Sequence, residues 1–177
     1  QTILIMKTNS IFAISMAMAL CSCTISVSSE AKERIKPSKN YITKKVKVDN
    51  FEGISTSTSI DVVYTQTTGD TSVEIYAPDN LMEYVKVETE GGMLKIGFQP
   101  KEKGKGLNIR GSHETKVYVS APAVHTLLAS SSGDIVLKNG LQHPGKVMIK
   151  TSSSGDIEGG SVACETLDIE ASSAGDI

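Results

Sequence analysis

The chain has 177 residues, 39% hydrophobic, 21% charged and 5% aromatic, with no tryptophan and a formal charge of −2. That balance excludes the uniformly basic surface of a nucleic-acid binder, and the chain is too apolar for wholesale disorder. Fifteen glycines among abundant Ser and Thr also argue against a helix bundle.

Five residues precede Met6, the expected start, and residues 11–20 form an apolar run. Ten residues are too few to cross a bilayer as a helix but suit the core of an export signal. Leu20-Cys21-Ser22-Cys23 follows at once and resembles the lipobox of bacterial lipoproteins. Cys23 fits that register, with Leu20 in the aliphatic slot and Ser22 in the small one. Cys21 fits it less well, because Leu20 would then stand where a small residue is wanted. Residues 1–22 therefore read as a lipoprotein signal and Cys23 as the lipid-bearing N-terminus, with the membrane as partner. An ordinary secretory signal with two incidental cysteines is the alternative. With Cys23 acylated, Cys164 has no intrachain partner, so packing rather than a disulfide framework must hold the fold. Cys164 itself reads as a small buried apolar residue.

Residues 24–47 carry seven basic and two acidic side chains, and residues 48–177 carry ten and eighteen. The molecule thus divides into a basic tether and an acidic body. Residues 23–43 read as a lipid-anchored linker, either a solvated spacer or a segment whose lysines rest on anionic headgroups.

From Val46 onward the apolar period is two. Val46 and Val48, then Ile60, Val62 and Tyr64, then Val73 and Ile75 alternate with polar residues. Val85 and Val87, Leu94, Ile96 and Phe98, and Val117 and Val119 continue the pattern. Gly91-Gly92 between two such runs predicts a tight hairpin. Residues 80–84 predict one short helical turn with Asn80 as its cap, and residues 100–113 a polar loop.

Near the end, Ser130-Ser131-Ser132-Gly133-Asp134-Ile135 recurs as Ser152-Ser153-Ser154-Gly155-Asp156-Ile157 and as Ser172-Ser173-Ala174-Gly175-Asp176-Ile177. Aligned on Gly-Asp-Ile, the copies place Leu127, Ile149 and Ile169 in one column and Leu128, Lys150 and Glu170 in the next. Lys150 and Glu170 are expected to pair across coils. Strand alternation repeated every 20–22 residues, with a glycine turn, predicts an all-β parallel β-helix or β-solenoid over residues 44–177.

The order of elements resembles the head GIN domain family, an auto-transporter-adhesin-like group of exported Bacteroidetes proteins. The residues that carry the resemblance are Phe51-Glu52-Gly53-Ile54, Ile60-Asp61-Val62-Val63-Tyr64, Ser72-Val73-Glu74-Ile75 and Gly92-Met93-Leu94-Lys95-Ile96. Val117-Tyr118-Val119-Ser120-Ala121-Pro122 and the serial Ser-x-Gly-Asp-Ile complete it. The resemblance implies a right-handed parallel β-helix in an exported protein, and it supplies no catalytic residues. It also implies further coils after the third Gly-Asp-Ile, so the chain reads as truncated at its C-terminus, or else covered there by a second copy.

Asp134, Asp156 and Asp176 stack in one column. They are calcium candidates, and paired carboxylates also serve glycoside hydrolysis. The simpler reading is turn chemistry, with each carboxylate accepting nearby backbone N–H groups. His113, His125 and His143 are isolated, and GxSxG, P-loop, HExxH and CxxC patterns are absent. No cofactor and no catalytic residue is expected. Scarce aromatics weaken the case for sugar-stacking platforms. The sequence thus points to a non-catalytic lipoprotein, expected in the outer membrane on either its periplasmic side or the cell surface. Its Ser/Thr/Asp-rich face would meet a polysaccharide or protein ligand, and its open end invites homo-oligomers. The alternatives are a polysaccharide-active β-helix enzyme with its site in further coils, and a structural scaffold of the envelope.

Overall fold

The computed structural model describes residues 32–177, so Cys23 and the export signal lie outside the described residues. The described chain is all β except for one 3-10 turn, Met82–Tyr84. Ahead of that turn run β1 (Glu33–Ile35), β2 (Tyr41–Val46), β3 (Gly53–Thr56), β4 (Asp61–Gln66) and β5 (Ser72–Pro78). After it come β6 (Val85–Glu90), β7 (Met93–Phe98), β8 (Leu107–Ile109) and β9 (Lys116–Ala121). The repeats supply β10 (Thr126–Ser130), β11 (Ile135–Leu137), β12 (Leu141–Gln142) and β13 (Lys146–Ser152), then β14 (Ile157–Gly159), β15 (Val162–Ala163) and β16 (Thr166–Ala171).

Two six-stranded sheets dominate, ordered β16-β13-β10-β3-β7-β6 and β14-β11-β4-β9-β5-β2. Both are open. Within the repeats the pairing is parallel and in the register that the sequence columns predict, with Leu127 opposite Ile149 and Ile149 opposite Ile169. Lys150 meets Glu170 at 2.8 Å. A uniformly parallel stack from residue 44 is not what forms, however. The pairs β2/β5, β5/β9 and β6/β7 are antiparallel. The hairpin explains part of this difference: Gly91 and Gly92 adopt φ of 59° and 78°, the conformation of a tight turn that reverses the strand on its neighbour.

Four further expectations are corrected. Strand β1 and the first three residues of β2 lie in the stretch read as linker, and β2 is hydrogen-bonded to β5 along its whole length. The polar stretch 100–113 contains β8, which pairs with β1. Asn80 does not cap a helical turn. Its Oδ1 accepts the Ser38 N–H and its amide donates to the Lys36 carbonyl, both at 2.9 Å, which satisfies donor and acceptor together. Cys164 is a free thiol, half-buried against the core rather than inside it.

One hydrophobic cluster draws side chains from both large sheets. Ile54, Leu94, Leu127 and Ile149 come from one, and Val62, Tyr64, Val117 and Ile135 from the other. Their alternation with exposed neighbours is the period of two made visible, since successive strand residues point to opposite faces. Tyr64 is fully buried and donates its hydroxyl hydrogen bond to the Pro122 carbonyl at 2.7 Å. Burial pushes its phenol up to about 12, against a smaller lowering by a Val124 backbone hydrogen bond. A group that binds its proton more tightly when folded contributes stability below its unfolded pKa and loses it as pH rises. Stability should therefore fall between pH 10 and about 12, by about 2–3 kcal/mol from this residue. Urea titrations at pH 9 and pH 11.5 check this, and Tyr64→Phe should remove most of the slope.

Candidate functional site

Each repeat turns at its serines. Ser131, Ser132, Ser153 and Ser173 hold positive φ between 55° and 65°, so the left-handed backbone falls on serine and not on the glycine that follows. The glycines answer a different demand. A Cβ at Gly133 would lie 2.9 Å from the Ile60 carbonyl oxygen, and one at Gly155 would lie 2.6 Å from the Ser130 nitrogen. They are glycine because the neighbouring backbone runs against them.

The aspartates do converge, and their role is visible. Asp156 donates its N–H to Asp134 Oδ1 at 2.9 Å, and Asp176 donates to Asp156 Oδ1 at 2.8 Å. The carboxylates thus accept from the adjacent repeat rather than from their own turn. A fourth member, missed in the sequence, heads the column: Asp61 Oδ1 accepts the Asp134 N–H at 3.4 Å. Thr56-Ser57-Thr58-Ser59-Ile60-Asp61-Val62 is a degenerate first copy, with Thr56 opposite Ala129 and Val62 opposite Ile135. Thr58 and Ser59 even share the positive φ of the later serines. The signal was there in the Ser/Thr run before Ile-Asp-Val, hidden by isoleucine in the glycine slot and a gap of 73 residues. Burial raises the pKa of the Asp61 carboxyl and the Asp134 charge adds to the rise, while the hydrogen bond from Asp134 opposes it.

The candidate calcium site does not assemble as a cage. Among the described residues no three His, Cys, Asp or Glu side chains gather where they could hold a metal. The column spaces its carboxylates one per repeat and commits an oxygen of Asp61, Asp134 and Asp156 to backbone N–H groups. Asp156→Ala should cost about 0.5–1 kcal/mol by removing the acceptor of the exposed Asp176 N–H, while Asp156→Asn, which keeps an acceptor oxygen, should cost less than half of that. Chemical denaturation of the two variants checks the order.

The histidines are less isolated than their spacing suggests. The His125 and His143 rings lie 5.9 Å apart, and His125 Nε2 is 3.3 Å from a Glu52 carboxylate oxygen. His113 stands apart, with Nδ1 against the Gly111 carbonyl at 3.2 Å.

The surface with most to offer a partner is the outward face of the second large sheet. Tyr41 and Tyr76 stack there with ring centres 5.0 Å apart and planes at 21°. On the next strand, Tyr76 is opposite Lys116 and Glu74 is opposite Tyr118, so Tyr118 is the diagonal neighbour of Tyr76. Tyr118 is 44% exposed. The diagonal runs on through Val63 and Val136, paired in turn with Tyr118 and with each other. Thr43 flanks Tyr76, and Ser72, Ser120 and Thr65 form a hydroxyl row two residues along from Tyr118. Three of the five tyrosines in a chain poor in aromatics therefore share one flat face. Their positions, 41, 76 and 118, share no sequence period that would betray it.

An all-β body of open sheets, with a repeated Ser-Gly-Asp corner and a tyrosine-lined outer face, defines a class of β-stacked domains. The chain belongs to the family described as putative auto-transporter adhesin, head GIN domain, whose model matches residues 50–177. It is similar to the crystal structure of a putative adhesin from Bacteroides fragilis, at 28% identity and a TM-score of 0.67, over 80% of this chain and 62% of that one. A putative adhesin from Parabacteroides merdae is similar at 21% identity and a TM-score of 0.68, over 78% of this chain and 55% of that one. A structure called a putative lipid binding protein, from Parabacteroides distasonis, shares the fold at 20% identity and a TM-score of 0.61, over 77% of this chain and 63% of that one. The chain thus spans about three fifths of the length of these solved structures. No curated protein matches it.

Proposed function

We propose that the protein is a non-catalytic cell-envelope lipoprotein, exported and held at the outer membrane through Cys23, that binds a polysaccharide or protein partner. The observation that carries this reading is the diagonal of Tyr41, Tyr76 and Tyr118 with its hydroxyl row on one open sheet face. Aromatic rings offer the apolar faces of sugar rings a stacking surface, and flanking hydroxyls exchange hydrogen bonds with sugar hydroxyls. A polysaccharide is therefore the preferred partner. Membership of the adhesin family supports binding as the activity. One carboxylate oxygen each of Asp61, Asp134 and Asp156 accepts a backbone N–H, which supports a structural role for the column over a catalytic one. In this reading the 20- and 22-residue repeats are coils of a right-handed solenoid.

Affinity electrophoresis through gels cast with a panel of envelope and host polysaccharides tests the binding face. At least one polymer should retard the wild-type chain, and Tyr76→Ala with Tyr118→Ala should weaken that retardation at least tenfold, about 1.4 kcal/mol. Equal retardation of both chains would overturn the assignment of the face. Fatty-acid labelling in cells should be lost in Cys23→Ala and kept in Cys21→Ala.

A further inference from the structure

We infer that β1 and β8 together form a cationic surface that rests on anionic lipid headgroups of the membrane to which Cys23 ties the chain, an inference that builds on the lipid-anchor reading above. The two strands pair in parallel, with Arg34 opposite Asn108 and Ile35 opposite Ile109. Arg110 donates its N–H to the Ile35 carbonyl at 2.8 Å, which extends the ladder by one step and brings Lys36 beside Arg110. Strand alternation then sorts the side chains. Glu33, Ile35, Leu107 and Ile109 take one side, where Glu33 accepts the Tyr84 hydroxyl hydrogen bond and the three aliphatic residues are half-buried. Arg34, Asn108, Lys36 and Arg110 take the other, with all three cations exposed. Arg34, Lys36 and Arg110 line one shallow depression of about 390 Å³ with Ile35 and Gly111, and no acidic side chain borders it.

This arrangement is unfavourable on its own. Like charges side by side on neighbouring strands repel. Eight lysines meet a carboxylate, and Arg34, Lys36 and Arg110 are among the cations that meet none among the described residues; these three stand together on adjacent strands. Arg34 and Lys36 come from the basic stretch 24–47, and Arg110 joins them from the acidic body. The place of this face in the chain names the counter-charge. Lys32 is nine residues on from Cys23, a reach of at most about 30 Å for an extended chain. The face therefore lies within reach of the bilayer surface, whose phosphates complement guanidinium groups in geometry as well as charge. Each cation near an anionic membrane strengthens binding about fivefold, so the three together give about 100-fold.

Vesicle co-sedimentation of the full chain tests this, using phosphatidylcholine alone or mixed with phosphatidylglycerol. The wild-type chain should prefer the mixed vesicles. The variant Arg34→Gln, Lys36→Gln, Arg110→Gln should lose about 100-fold of that preference, with binding to phosphatidylcholine alone unchanged. High salt should do the same to the wild type. Arg34→Lys with Arg110→Lys keeps the charges and should keep most of the preference, which guards against a folding defect. A triple variant that still prefers anionic vesicles would overturn the inference. So would inorganic phosphate abolishing the preference at constant ionic strength, since that marks a site for the free anion. Repeating the assay on Cys23→Ala separates the two readings: a preserved preference without fatty-acid labelling supports the surface, and a labelled Cys23 without any preference overturns it alone.

Discussion

Gly155→Ala is expected to destabilise the protein by about 3 kcal/mol, while Gly160→Ala, five residues away, leaves stability within about 0.5 kcal/mol. A Cβ at Gly155 would stand 2.6 Å from the Ser130 nitrogen, 2.8 Å from the Ala129 carbonyl carbon and 2.9 Å from the Gly133 oxygen. All three are backbone atoms of the adjacent repeat, so no side chain can swing aside, and relief requires the two repeats to separate. Separation strains the ladder between β10 and β13 and the Asp134 and Asp156 hydrogen bond together. Gly160 has nothing within 4 Å of the added carbon and is exposed. Urea denaturation of both variants decides the matter, and equal midpoints would refute the close-approach account of the glycine column.

Leu127→Ala should cost about 3 kcal/mol, and Ile169→Ala, in the same column of the repeat, less than about 1 kcal/mol. Leu127 is fully buried between Ile54 on β3 and Ile149 on β13. Its removal leaves a cavity walled by two sheets. Ile169 lies on the edge strand β16 and is 56% exposed. Truncation there returns little apolar area to water. Thermal melts of the two variants measure the gap. A cost for Ile169→Ala as large as that of Leu127→Ala would show that the edge is covered in solution.

The repeat shows why some of this fold was legible and some was not. Leu127, Ile149 and Ile169 could be aligned by eye because 22 and 20 residues of continuous chain separate the copies, and one register keeps every aliphatic side chain on the buried face. A slip of one residue would turn them all to water. The alternation in β4, β5 and β9 was equally readable, but not the direction in which those strands pair. Val73 and Val119 look the same in a parallel or an antiparallel partner, and only the path of the chain between them selects antiparallel. The positive φ of the corner serines has a similar origin. Glycine is the usual left-handed residue, yet in these corners the tight approach of the next repeat claims it, and serine takes the strained position.

The candidate surfaces were less legible still. Tyr41, Tyr76 and Tyr118 fall on three strands joined by pairing, not by spacing, and their scarcity counted against an aromatic platform until the sheet gathered them. Arg34 and Lys36 read as part of a basic tether, either a solvated spacer or a segment resting on anionic headgroups, and Arg110 was nowhere near them in the chain. Asp61 was recognisable only once it stood at the head of the aspartate column.

The sequence by itself determined the all-β class, the strand alternation, the register of the three Ser-x-Gly-Asp-Ile copies and the resemblance to the head GIN domain family. These are properties of local period and fixed spacing, which the covalent chain dictates. Tertiary structure alone decided the mixed strand directions, the fourth aspartate, the tyrosine face and the three-cation ladder. Each depends on which distant strands share hydrogen bonds, and that choice is made by burying one common core, not by any stretch of neighbouring residues.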